Sequence, residues 1–370
     1  LQSRFSPVLS NEARLSYVGV RDKRTSGAAF PSITVYNVGK GTVNLGNDYS
    51  SMANGLTQDV WTLEDNLTWY KGNHTFTFGT HNELYKFDNL FIQNLYGCYY
   101  FQNTDDFFSY YNGVVNGSDQ PLGSYINRYY FSQANTAVTG DPLWSAAFSA
   151  GQLGFYAQDK WDVNRKFQLT YGLRFDIPLF FDTPAENAPF NEWAAEQAAK
   201  ADQDPSYKDF AGLKTNHKLA SKLMVSPRVG FRYDIAGDKR FILRGGIGIF
   251  TGRIPFVWLS NNFTNTGVQL ESYQATGSST KNITLILDPN RQAENAANLR
   301  ASGSQIINVF DKDFKFAQNL RLNLGFDFQA LGINWTAEAI YSKVLNDVYY
   351  QNLAYKETGK TLADVTGLAW

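Results

Sequence analysis

The sequence predicts an all-β protein, an antiparallel up-and-down transmembrane β-barrel, from three observations. Strands alternate between apolar and polar residues, short polar turns join them in pairs, and aromatic residues stand beside those turns. The alternation is clearest in residues 167–176 and 320–329, where every second residue is large and apolar. A period of two gives a strand one apolar and one polar face, and about ten residues tilted by about 45° cross a bilayer.

The polar faces of these two strands carry charges, which excludes the packed interior of a β-sandwich. We therefore predict that one face lines a water-filled lumen and the other contacts lipid. The charged residues predicted to face the lumen are Arg174, Asp176, Arg232, Arg244, Arg321, Asp327 and Glu338. The residues predicted to face lipid are Leu169, Tyr171, Leu173, Phe175, Leu320, Leu322, Leu324, Phe326 and Phe328.

Hairpins follow one another along the chain. Strand pairs are predicted at 57–70 with 74–87, 151–161 with 167–176, 228–235 with 241–250 and 319–329 with 335–344, after a first strand at 12–22. Gly, Asn and Asp in the connecting turns supply the positive φ angles that tight hairpins need.

Four long segments separate the pairs, at 23–56, 88–149, 177–226 and 251–314, and their Asn-, Ser-, Gly- and Tyr-rich composition predicts irregular loops. Residues 191–200 are expected to form a short helix within one of them, because Ala, Glu and Gln favour helix. Short turns on one side and long loops on the other are typical of bacterial barrels, in which the long loops lie outside the cell.

Aromatic side chains flank the short turns, as Trp69 and Phe76 do on either side of residues 71–73. Such rings prefer the headgroup level of a membrane, which supports the membrane interpretation over a general enrichment of aromatics in strands. Asp65 is the exception, because its position falls on the apolar face. Either the face tolerates this carboxylate or a β-bulge turns it inward.

Composition restricts the remaining classes. The mean hydropathy of −0.35 argues against a helical membrane protein. A net charge of −1 gives no electrostatic case for nucleic-acid binding, and the single cysteine, Cys98, excludes an internal disulfide. The chain starts at Leu1 without a signal peptide and ends at Trp370 after a polar segment. We therefore expect residues 1–370 to be part of a barrel domain from a longer polypeptide.

Residues 151–161, 168–176, 226–234 and 243–252 resemble TonB-dependent outer-membrane transporters. The patterns Tyr-x-Gln-Asp-x-Trp, at residues 156–161, and Leu-x-x-Gly-x-Arg-x-Asp, at residues 169–176, carry this resemblance. Residues 72–82 and 251–260 look more specifically like the Oar-like branch of Bacteroidetes, a relative of the SusC-like transporters.

The resemblance implies a barrel of twenty-two strands that is filled by an N-terminal plug and energised through a TonB box, neither of which lies in this sequence. It implies active import of a bulky substrate such as a peptide or glycan, without a cofactor or enzymatic activity. The implied partners are outer-membrane lipids, TonB and a surface lipoprotein. A passive porin or a structural barrel is the alternative.

The segment 251–263 is the candidate substrate-binding region, because it follows a strand and mixes aromatic, amide and guanidinium groups suited to recognition. Its candidate residues are Arg253, Phe256, Trp258, Asn261 and Asn262. The alternative is that these aromatics pack the loop against its neighbours. The same two interpretations apply to the Tyr-rich segments 96–111 and 125–131.

The sequence gives only weak indications of metal binding or catalysis. His81 and Glu83 share a strand face, an arrangement more typical of a solvated face than of a metal site. The acidic pairs at 202–204 and 311–313 lack the spacing of an EF-hand calcium loop. No nucleophile elbow or catalytic triad is recognisable in the sequence, so we predict no catalytic or metal-binding residues.

Overall fold

Fifteen strands form two separate sheets in the computed structural model, which describes residues 1–25, 30–301 and 306–355. The strands are β1 (Gln2–Ser6), β2 (Leu9–Lys23), β3 (Ser32–Val38), β4 (Gly41–Gly46), β5 (Ala53–Lys71), β6 (His74–Ile92), β7 (Cys98–Phe101), β8 (Arg128–Ala134), β9 (Ala146–Asp162), β10 (Phe167–Phe180), β11 (Met224–Asp234), β12 (Phe241–Thr251), β13 (Leu270–Thr276), β14 (Gln318–Ala330) and β15 (Ile333–Asn346). The α-helices are α1 (Thr104–Asn116), α2 (Thr136–Thr139), α3 (Ala188–Ala198), α4 (Phe256–Thr264) and α5 (Ala293–Ala296). Residues 356–370, which include the C-terminal residue Trp370, lie outside the described residues.

The first sheet, which we call the wall sheet, has ten strands in the order β1-β2-β5-β6-β9-β10-β11-β12-β14-β15. Every neighbouring pair is antiparallel, and the order follows the sequence throughout. The short turns therefore lie along one edge, the short-turn edge, and the long connections lie along the opposite loop edge. This confirms the predicted up-and-down topology, and the predicted strands recur with longer bounds.

Pairing register assigns each strand residue to one of two faces. One face of the sheet can be followed across β10, β11, β12 and β14 through cross-strand partners, and we call it the inner face. These partners are Arg174–Ser226, Arg228–Gly248 and Gly248–Arg321. On the opposite outer face, Tyr171 pairs with Val229, and Gly245 pairs with Leu324. The residues predicted to face lipid lie on this outer face, where Leu324 is 52% exposed.

Asp65 stays on the outer face, because β2 and β5 pair without a register shift. Its Oδ1 accepts a hydrogen bond of 2.7 Å from Nδ2 of Asn11, which lies on the same face. The structure therefore selects a hydrogen-bonded polar pair on the apolar face over a β-bulge.

The long segments are not irregular, which corrects the sequence prediction. Five strands from three of them form a second sheet, the loop sheet, in the order β13-β8-β7-β3-β4. Its strands are short and pair across loops, with one parallel pair between β3 and β7. In the fourth segment the predicted helix appears as α3, about one turn earlier, because the Asn187 side chain caps the Phe190 N–H.

One face of the loop sheet covers an aromatic core that contains Tyr99, Phe101, Tyr129 and Phe131. Gln292, only 1% exposed, fixes the adjoining segment to this core. Its Oε1 accepts hydrogen bonds from the Tyr99 and Tyr129 hydroxyls at 2.7 and 3.2 Å, and its Nε2 donates to the carbonyls of residues 286 and 288. A buried amide with four partners is a strong positional constraint, because any lost partner leaves a polar group unsatisfied.

Candidate functional site

The inner face brings all seven predicted lumen-facing charges to the same side of the wall sheet. Within this face, Arg174 and Asp176 form the most buried pair. The Arg174 guanidinium donates to Asp176 at 2.8 to 3.0 Å, and Gln152 Nε2 donates to the same carboxylate at 3.1 Å. Asp176 is 1% exposed, so this pairing supplies the compensation that a buried charge requires.

A second group joins three strands near the end of the sheet. Arg244 on β12 donates to Asp327 on β14 at 3.0 Å and to Glu338 on β15 at 3.1 Å. Since the two carboxylates lie on different strands, Arg244 links β12 to both β14 and β15 through ion pairs.

Three inner-face arginines are different, because Arg228, Arg232 and Arg321 form no ion pair with another described residue. Arg228 instead stacks its guanidinium over the Phe250 ring at 4.4 Å. Between Arg228 and Arg321 lies Gly248, and nearby inner-face glycines leave a depression of about 410 Å³ in the wall. The depression is a surface where another polypeptide or a ligand can approach the sheet closely, with cations on both sides.

Helix α4 does not stand at the mouth as a free loop; it packs on the inner face near the loop edge. Phe256 is 7% exposed, with its ring centroid 4.4 Å from Tyr85 and 5.0 Å from Phe87. Ser260 Oγ accepts a hydrogen bond of 2.8 Å from Nδ2 of Asn89, and Asn262 is buried. Phe256 and Asn262 therefore act as packing residues in this structure, which matches the alternative that the sequence left open.

Arg253 links the start of this segment to the wall. Its Nη1 lies 2.9 Å from Glu83 Oε2 and donates to the Tyr85 hydroxyl at 2.9 Å. Glu83 is also 3.4 Å from Nε2 of His81, whose Nδ1 contacts Glu64 at 2.7 Å. The His81–Glu83 face is thus a polar network, and the described residues contain no group of three or more His, Cys, Asp or Glu side chains placed to hold a metal.

The acidic pairs considered for calcium have local roles. The Asp204 side chain caps the 3-10 helix at Pro205–Phe210, and Asp313 pairs with Lys222 at 3.1 Å.

Trp258 and Asn261 remain accessible. Trp258 is 41% exposed and meets Tyr350 edge-to-face at 6.1 Å, and Asn261 is half-buried. Of the five candidate residues, these two and Arg253 present atoms to the space beside α4.

A cleft of about 300 Å³ opens between the loop sheet, the loop-edge end of β6 and the residues that follow α4. Its lining includes Phe91, Tyr130, Ser132, Tyr273 and Gln274, together with amide and hydroxyl groups, and contains no charged side chain. Burial, together with a hydrogen bond of 2.8 Å that its hydroxyl donates to Glu271, raises the pKa of Tyr273 to about 12. The cleft is chemically suited to a neutral ligand rich in hydrogen-bonding groups.

Sequence reasoning named part of this cleft through the Tyr-rich segment 125–131 but missed Ser132, Tyr273 and Gln274. These three lie on β8 and β13, which pair across about 140 residues of chain. Residues 270–276 do not alternate between apolar and polar side chains, so no local signal marked this strand or its pairing partner.

The described residues include no helix that is long and apolar enough to cross a bilayer.

Comparison with known proteins identifies the family. A family model described as an outer membrane beta barrel domain matches residues 2–355. No curated protein sequence matches the chain significantly.

Among solved structures, the chain is similar to the outer membrane transporter YddB from Escherichia coli, with 12% identity and a TM-score of 0.45, over 92% of this chain and 32% of that one. It is also similar to a mutant of the ferric enterobactin receptor PfeA from Pseudomonas aeruginosa, with 11% identity and a TM-score of 0.43, over 92% and 33% of the two chains. The copper transporter OprC aligns with 12% identity and a TM-score of 0.38, over 92% and 37%. This chain therefore spans about a third of the length of those proteins.

Proposed function

We propose that this chain, which belongs to the outer membrane beta barrel domain family, forms part of the wall of a TonB-dependent transporter that imports a bulky substrate. The family match places the chain in the bacterial outer membrane as a β-barrel domain. Import, coupling to TonB and the Oar-like or SusC-like affiliation rest on the sequence resemblance, and the partners remain proposals with them.

The inner-face arginines differ in whether they form ion pairs on the wall, and this difference is the observation that most supports a barrel filled by a plug. Arg174 and Arg244 have carboxylate partners on the wall, whereas Arg228, Arg232 and Arg321 have no ion-pair partner among the described residues. An arginine enclosed by a plug needs a partner, because an unpaired buried charge costs several kcal/mol. We therefore propose that carboxylates of a plug contact these three residues, and that the depression beside Gly248 receives a plug segment.

On the substrate side, we propose the neutral cleft as the place of first contact, with Trp258 and Asn261 deeper along the route. Neutral amides, hydroxyls and aromatic rings recognise uncharged polar surfaces such as sugar hydroxyls and peptide groups. The proposed transport role requires no catalytic residue.

Conductance of the full-length protein in liposomes tests the plugged transporter against the passive porin. We expect low conductance from the intact protein and high conductance after deletion of the plug, because a polar plug fills the lumen. High conductance from the intact protein would instead support a porin. Substrate uptake should also stop in cells that lack TonB, whereas diffusion through a porin would continue.

A further inference from the structure

The loop sheet has one edge that no described strand covers. Its strand order ends at β4, whose only neighbour among the described strands is β3, and all residues of β4 are exposed. The edge belongs to the long connections, which lie outside the cell. Neither the proposed import nor the neutral cleft uses it, because the cleft is lined by β8 and β13, toward the other end of this sheet.

A hydrogen bond just after β4 shows which of its backbone groups point away from β3. The Asn47 N–H donates to the carbonyl that precedes β3, at 3.4 Å. Because orientation alternates along an antiparallel strand, Leu45 and Val43 likewise turn their N–H and C=O groups toward β3. Thr42 and Asn44 therefore turn theirs outward, away from the sheet.

The contacts of β3 agree with this orientation. The Ser32 N–H donates to the Gly97 carbonyl at 2.9 Å, so Ser32 and Thr34 turn toward β7 and leave the residues between them for β4. The Thr34 hydroxyl also donates to the Asn44 side chain at 3.0 Å. Such close side chains are typical of cross-strand partners whose backbone groups point away from each other. The N–H and C=O groups of Thr42 and Asn44 thus form a bare row at the edge.

The side chains beside this row extend the apolar face of the loop sheet to its edge. Val43 lies opposite Val35, and Leu45 lies opposite Ile33. The two β3 residues are each 3% exposed in the aromatic core, whereas Val43 and Leu45 are 38% and 41% exposed. A further strand at this edge would cover both with every second one of its side chains.

The edge of β4 also lacks the features that usually protect a free strand. Natural sheets blunt such edges with charged residues, proline or a bulge, because bare N–H and C=O groups pair with any extended chain. The sequence of β4, Gly-Thr-Val-Asn-Leu-Gly, contains no charged residue and no proline. The register shift of its partner lies between Val35 and Val38, next to the turn. The rest of the edge is therefore open to pairing.

We propose that the free edge of β4 binds a linear peptide from outside the cell, which adds to the loop sheet as a sixth, antiparallel strand. An extended peptide backbone presents N–H and C=O groups at the spacing of a strand edge, whereas a glycan presents hydroxyl groups without that alternation. Thr42 and Asn44 hydrogen-bond the peptide backbone, and Val43 and Leu45 select apolar side chains at every second peptide position. Binding requires neither a plug nor TonB, so it is independent of the proposed import.

Peptide binding to the purified full-length protein tests the site. The probe is a fluorescent peptide of alternating Val and Thr with lysines at both ends, and fluorescence anisotropy measures its affinity. With its Val side chains beside Val43 and Leu45, its Thr nitrogens face β4. N-methylation of the Thr nitrogens should weaken binding roughly ten-fold or more, because at least two hydrogen bonds are lost. N-methylation of the Val nitrogens, which face away, is the matched control and should leave the affinity unchanged.

Substitutions at the edge test the same contacts from the protein side. Thr42→Pro removes an outward N–H and should weaken binding of the probe roughly ten-fold, because a hydrogen bond is lost and the proline ring obstructs the added strand. Thr42→Ala keeps this N–H and should bind as the wild type does. Leu45→Lys should also weaken binding, since it places a charge beside the apolar peptide residues. Heat-modifiable mobility on gels checks that every variant is folded.

Hydrogen exchange in the full-length protein shows whether the edge is free. Without peptide, the Thr42 and Asn44 amides should exchange rapidly and the Val43 and Leu45 amides slowly, and the probe should slow the first two. Slow exchange of Thr42 and Asn44 without peptide would overturn the proposal, because another segment or a second copy would then cover the edge. Light scattering would tell a second copy from another segment by mass. Equal affinity of the two N-methylated peptides would overturn it as well.

Discussion

The wall sheet and the loop sheet are built from the same chain by different means. Neighbouring wall strands are also neighbours in sequence, and turns as short as Gly72-Asn73 join them. The loop sheet instead collects strands from three loops, so that Ser132 on β8 lies opposite Ser272, 140 residues later. Local hairpins give the wall its order, whereas the loop sheet requires distant segments to meet.

The two sheets also differ in how their polar groups are satisfied. Wall strands form long ladders, and some of their inner-face charges pair, within one strand at Arg174–Asp176 and between adjacent strands at Arg244–Asp327. The loop sheet depends on side chains that reach across the core, with Gln292 and Asn295 both bonded to the Tyr99 hydroxyl. A few residues with several hydrogen-bond partners therefore hold the loop sheet together.

The largest effect should come from Gln292→Leu. This substitution removes four hydrogen bonds and leaves the Tyr129 hydroxyl and two backbone carbonyls without that partner. We expect a local destabilisation of about 3–5 kcal/mol, because each unsatisfied buried polar group costs about 1–3 kcal/mol. Hydrogen exchange should accelerate in β7, β8 and residues 282–296 and remain unchanged in the wall strands.

Gln203→Leu is the matched control, because it makes the same change at an exposed glutamine. If Gln292→Leu also accelerated exchange throughout β9 and β10, the two sheets would be one cooperative unit and the distinction between them would fail.

This contrast explains which parts of the fold were predictable from the sequence. Alternation and turn residues marked the wall strands, since both signals are local. Segments such as Cys98–Phe101 and Arg128–Ala134 have aromatic residues on both faces, so neither period nor polarity marked them as strands of a sheet. Their pairing depends on contacts between loops that no local pattern encodes.

The candidate site likewise contains residues whose position the sequence predicted and residues whose position it could not predict. Strand parity predicted that Arg174, Arg244 and Asp327 share one face, and the register places them together. The burial of Phe256 could not be predicted, because it depends on Tyr85 and Phe87 from a strand about 170 residues earlier. The exposure of a loop residue is set by tertiary packing and not by its own segment.

A matched pair of charge insertions tests the two faces of the wall. Leu324→Arg places a guanidinium on the outer face in the middle of β14, and Asn323→Arg places it on the inner face next to Arg321. In lipid vesicles we expect Leu324→Arg to lower the free energy of unfolding by about 2–4 kcal/mol, and Asn323→Arg by less than about 1 kcal/mol. Denaturant titration of the full-length protein measures both, and the reverse ranking would mean that the faces are assigned the wrong way round.

A smaller effect, of opposite sign, is expected at the polar pair on the outer face. The double variant Asn11→Leu/Asp65→Leu should stabilise the wall in vesicles by roughly 1 kcal/mol, because it replaces two polar groups by apolar ones at a lipid-facing position. Asp65→Leu alone should gain less, since it leaves the Asn11 amide without its partner. Destabilisation by the double variant would show that this patch contacts something other than lipid.

The last measurement needs no substitution in the loop sheet, because the reactivity of Cys98 in β7 reports on whether that sheet is folded. It is the only cysteine of the chain, it is fully buried, and burial raises the pKa of its thiol to about 12. Since maleimide reaches a fully buried thiol only when the loop sheet opens, Cys98 should react far more slowly in the folded protein than in denatured protein at about pH 8. Gln292→Leu should abolish this protection while Leu324→Arg leaves it intact, and equal loss in both variants would show that the loop sheet and the wall open together.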